Sequence, residues 1–111
     1  MEKDLIYKIM YSLILVYISF SIIDSYVTYE GIEKGGVEGN PFFADFTGQG
    51  FIVFLVGVIV SESLFLGLIF IGSWIASYRI RGLFPLIFSF MLSIGIVRHI
   101  WGISTWMNFL L

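Results

Sequence analysis

The stretch FIVFLVGVIVSESLFLGLIFIGSWIASY, residues 51–78, carries a single charged side chain, Glu62. About 20 apolar residues suffice to carry a helix across the hydrocarbon core of a bilayer, so this run is long enough to span. Its apolar residues show no period-2 alternation, and backbone hydrogen bonding in lipid leaves only helices or closed barrels. The run is therefore read as a transmembrane helix. Two further runs flank it. Residues 5–29 are interrupted only by Lys8 and Asp24, and residues 83–111 only by the adjacent Arg98 and His99. The expected architecture is all-α: one integral membrane domain, residues 1–111, with spans over about 5–29, 51–78 and 83–107 and a longer connection over 30–50. Pro85 suits the first turn of the third helix, where its missing N–H costs nothing.

Composition agrees with this class. Of the 111 residues, 59% are hydrophobic, 19% aromatic and 13% charged, against about 25% charged in a soluble domain. A net charge of −2 offers no basic surface for nucleic acid. The absence of cysteine excludes disulfides, thiolate metal sites and cysteine nucleophiles together. The first run starts with basic residues, but no A-x-A-like cleavage site follows it, so it is read as a span rather than a signal peptide.

Basic residues near helix ends set the expected orientation. Lys3 and Lys8 flank the first span, and Arg79 and Arg81 lie between the second and third, whereas the 30–50 connection carries Lys34 among Glu30, Glu33, Glu38 and Asp45. The N-terminus is expected in the cytoplasm and the C-terminus outside, in a multi-pass protein of the cell membrane. Tyr7, Tyr11, Trp74 and Tyr78 would mark the inner interface, and Tyr26, Tyr29, Trp101 and Trp106 the outer one.

Asp24, Glu62 and Arg98 are charges at bilayer depth, where they are costly unless paired or functional. Converting positions to depth from the inner helix ends places them at roughly 28, 25 and 22 Å respectively. All three fall in the outer half of the membrane, as a carboxylate–guanidinium–carboxylate cluster requires, and an arginine fork can hold two carboxylates. Tyr17, Ser21, Asp24 and Thr28 form one polar stripe on the first helix. Gly95, Arg98, Gly102 and Thr105 form a small-residue stripe on the third. Gly57, Ser61, Ser63 and Gly67 are candidate contact positions on the second. The cluster reads either as a lock on helix register or as a proton or cation site. A third possibility is that one charge faces a partner subunit. His99, rotated by roughly 100° from Arg98, reads as an interfacial or partner-facing histidine rather than a metal ligand.

Beyond the first span, Gly35-Gly36-Val37-Glu38-Gly39-Asn40-Pro41 supplies tight turns and then an Asn–Pro helix start. With Phe42, Phe43 and Phe46, it predicts a short interfacial helix. The set Asp24, Thr28, Gly35, Glu38, Asn40 and Pro41 resembles an uncharacterised prokaryotic membrane-domain family that has an Asp-x-x-x-Thr helix end followed by a G-x-x-E-x-N-P loop. The resemblance covers about residues 20–45 and implies a small helical membrane domain without an assigned activity. No nucleophile–base pair, metal-spaced motif or phosphate loop is visible, so no enzymatic role, cofactor or metal is expected. The expected role is a non-catalytic accessory or assembly subunit among membrane lipids and other integral subunits. The alternative is a homo-oligomeric proton or cation channel or carrier built on the Asp/Glu/Arg cluster.

Overall fold

The computed structural model describes residues 3–35 and 50–111, and these form three long helices. Helix α1 is Lys3–Glu33, α2 is Phe51–Ala76 and α3 is Phe84–Leu110. Each is long and apolar enough to cross a membrane. The all-α, three-span reading of the sequence is borne out. The interfacial helix expected after the first span, with Glu38, Asn40 and Pro41, lies outside the described residues.

The helix ends shift by a few residues for local reasons. α1 continues past residue 29 to Glu33 and stops at Gly35, whose φ of 95° needs no side chain. The Lys34 N–H donates to the Glu30 carbonyl, and the Gly35 N–H to that of Ile32, closing the last turn. α2 ends at Ala76 rather than residue 78, where Ser77 turns the backbone and donates to the Ser73 carbonyl. Arg81 then folds back on the helix end. Its guanidinium lies 3.8 Å from the Trp74 ring centroid and donates to the Trp74 carbonyl, one of the free acceptors a helix end leaves. A single 3-10 turn, Arg81–Leu83, leads into α3, with Pro85 in its first turn.

Packing is uneven. α1 runs along most of α3, whereas α2 meets α3 over a shorter length and α1 only sparsely. The core comprises Met10 and Tyr17 of α1, Ile69 of α2, and Phe84, Phe88, Leu92 and Ile96 of α3. Near the α2–α3 turn, Phe70 packs edge-on against Phe84 and Phe88, and Trp74 against Phe84. At the opposite end, Tyr29 packs between Phe51 and Phe54.

Three glycines let α1 and α3 approach closely. An added Cβ at Gly95 would sit 2.6 Å from the Tyr17 ring, and one at Gly102 would sit 2.9 Å from an Asp24 oxygen. Gly31 lies directly against the Trp106 ring. The face that α3 turns to α1 is thus Gly95, His99, Gly102 and Trp106, not the stripe through Arg98 and Thr105 that the sequence suggested. Both stripes share the two glycines, so spacing alone did not choose between them; the structure exposes Arg98 and Thr105. On α2, Gly57 is buried as expected, but Ser63 and Gly67 are exposed and nothing lies within 4 Å of a Cβ at Gly67. The buried positions there are Phe54, Gly57, Val58, Ile69 and Ser73.

Candidate functional site: a buried histidine between two carboxylates

The polar stripe of α1 faces inward, with Tyr17, Ser21 and Thr28 buried and Asp24 half-buried. α2 brings Glu62 to the same level, and α3 brings His99 between them. The His99 Nδ1 lies 2.6 Å from Asp24 Oδ2, and its Nε2 lies 3.3 Å from Glu62 Oε2. Thr28 Oγ1 donates to Asp24 Oδ1 at 3.2 Å, and the Tyr17 hydroxyl donates to Glu62 Oε2. The Tyr17 ring meets the imidazole edge-on, with centroids 5.0 Å apart. Every span contributes to this network.

Arg98 is peripheral. Its side chain is 45% exposed, against 3% for His99. It reaches Glu62 Oε1 at 3.5 Å and lies over the Phe65 ring at 5.1 Å, with no contact to Asp24. The expected Asp24–Arg98–Glu62 bridge is therefore corrected to Asp24–His99–Glu62, with Arg98 flanking Glu62. The reading of His99 as interfacial is corrected with it. The physical reason is reach and bulk: a compact imidazole fits between two glycine-lined turns at the α1 contact. A long guanidinium stem sits at the edge, covering apolar surface while its head finds a carboxylate.

With both carboxylates ionised, donor counting leaves one charge form that completes the network. Ionised carboxylates only accept, so both ring nitrogens donate only when the imidazole carries both protons. Asp24, Glu62, imidazolium and Arg98 then sum to zero charge, which suits a site surrounded by apolar side chains. Both His99 nitrogens are engaged in this arrangement, leaving no ring lone pair for a metal. A small void of about 10 Å³, at the lower limit of what admits one water, is lined by Asp24, Thr28, Glu62 and His99 among others. Beside it, a lateral cleft of about 380 Å³ separates α1 from α2, with Tyr17 and Glu62 toward one end and Tyr26 and Phe51 at the other.

Of the sequence-derived cluster, the structure brings Asp24, Thr28 and Glu62 together and leaves Arg98 at the margin. The four-, three- and four-residue spacing of Gly95, His99, Gly102 and Trp106 repeats the spacing of Tyr17, Ser21, Asp24 and Thr28. That match, face against face, was the available signal for His99. Of the loop motif, only Gly35 is described, as the end of α1. No protein-family model matches the chain, and neither does any curated protein or solved structure in the comparisons made.

Proposed function

We propose that the protein is a non-catalytic subunit that assembles with other helices in the cell membrane. The observation that carries this reading is how lightly α2 is held. Apart from the Glu62 contacts and the aromatic cluster at its inner end, α2 leaves Ile52, Val56, Val60, Leu64, Leu68 and Ile75 exposed. These recur at helical spacing, mostly every fourth residue, and form one aliphatic ridge of the kind that packs into a neighbouring helix's groove. The polar network supports a structural rather than catalytic role, because its strongest contacts are between its own members. The particle purified from native membranes in mild detergent should contain this chain in fixed ratio with larger, different subunits. A closed homo-oligomer would contradict the reading and favour a pore or carrier.

The orientation proposed with it is N-terminus inside, supported by Lys3, Lys8, Arg79 and Arg81 on one side of the spans. Because the chain has no cysteine, single-cysteine variants report cleanly. A cysteine at Gly35 should react with a membrane-impermeant maleimide added to intact cells, and one at Gly82 should not. The reverse pattern would invert the topology.

A further inference from the structure

The hydrogen-bonded chain has an asymmetry that the subunit reading does not use. From Tyr17 through Glu62, His99 and Asp24 to Thr28 it joins residues 11 steps apart on α1, about 16 Å along the helix axis. That is roughly half the hydrocarbon thickness. At its Thr28 end only about 8 Å of helix remains before Glu33. Beyond Tyr17, in contrast, about 21 Å of α1 remains, and Met10, Leu13, Ile14, Phe88 and Leu92 pack there. The small void of about 10 Å³ also lies at the Asp24–Thr28 side. The polar path thus lies nearer the end of the bundle at the α1 C-terminus, where Tyr29 and Trp106 also pack, and a longer stretch of apolar packing separates it from the other end.

We propose that this cluster is a proton-binding site that exchanges with the 34–50 face alone, and that loss of its proton loosens α2. The groups facing His99 are Tyr17 and Asp24 from α1 and Glu62 from α2, with Arg98 adjacent on α3. In the loaded form the imidazolium donates to both carboxylates. Release of one proton leaves a neutral imidazole with one N–H. The shorter contact, Nδ1 to Asp24 at 2.6 Å, keeps that hydrogen. Nε2 then presents a lone pair to Glu62 Oε2, 3.3 Å away, and the contact becomes repulsive. Glu62 retains Tyr17 and Arg98, so α2 keeps only the peripheral Arg98 contact at this level of α3. Since α2 is the least firmly packed span, it is the element that moves. The site takes up a proton from one side and returns it to the same side, so it conducts nothing.

His99 is the one histidine in the chain, so nitrogen-15 NMR of a histidine-labelled sample reads it without assignment. The full-length protein is placed in vesicles whose interior and exterior are buffered separately. Titrating the 34–50 face between about pH 4 and 10 should convert the imidazolium signals to neutral-imidazole signals, and the His99–Glu62 separation should lengthen while His99–Asp24 persists. Titrating the opposite face should change nothing. Asp24→Asn should displace the transition by about one pH unit or more. Should that variant fold poorly, the isosteric Thr28→Val removes the outermost hydroxyl and should slow the exchange of the His99 ring protons. Signals constant over the whole range would make the cluster a fixed ionic lock and overturn the proposal. A response to either face would overturn it in favour of a through-going path.

Discussion

Replacing His99 with alanine is expected to destabilise the bundle by about 3–5 kcal/mol, the range for removing one partner of a buried charged network. The cost does not come from the hydrogen bonds as such. Bonds between membrane helices are individually modest, about 0.6 kcal/mol on average. It comes from what is left behind: Asp24 and Glu62 share a site that has lost its balancing charge, and the helix that supplied it leaves a cavity at the α1–α3 contact. Unfolding in mixed micelles by denaturant, monitored by tryptophan fluorescence, reads this directly. Arg98→Ala is the contrasting variant. Its stem lies at the edge of the bundle with the head half-exposed, and its Glu62 contact is 3.5 Å, so its loss should cost less than that of His99. A larger loss for Arg98 than for His99 would restore the arginine-centred cluster that the sequence suggested.

Gly95→Leu should be the second most damaging change. The new Cβ would lie 2.6 Å from the Tyr17 ring and 3.1 Å from that of Phe65. Tyr17 is itself fully buried and cannot swing aside without leaving Glu62. Overpacking of this kind costs about 1–3 kcal/mol, and displacing Tyr17 removes a network bond as well. Gly72→Ala is the matched control, because open space surrounds that position. It should leave stability unchanged or raise it by up to about 1 kcal/mol through helix propensity. Equal losses at Gly95 and Gly72 in the same unfolding assay would mean that α1 and α3 do not pack at Gly95.

How much of this was legible in the sequence depends on the physical signal concerned. The spans were legible because hydropathy over 20 or more residues averages out local ambiguity. The inward face of α1 was legible too, since Tyr17, Ser21, Asp24 and Thr28 recur at helical spacing around the one charge well inside its apolar run. The face of α3 was not. Arg98 and His99 are adjacent, each is polar, and each has Gly95 and Gly102 nearby at helical spacing. Formal charge favoured Arg98, but what decides is which side chain fits at a close helix crossing, and that is set by the position of α1. The second span hid its contacts for a different reason: it is apolar all round, so no periodicity marks its buried face. Glu62 and Gly57 alone betrayed it.

The central claim is that His99 joins α2 to the α1–α3 pair through Glu62. The same unfolding assay, run as a double-mutant cycle on His99→Ala and Glu62→Gln, tests it most directly. A direct contact within one network predicts a coupling energy of about 0.5–3 kcal/mol between the two positions. Costs that simply add, to within about 0.3–0.5 kcal/mol, would contradict it.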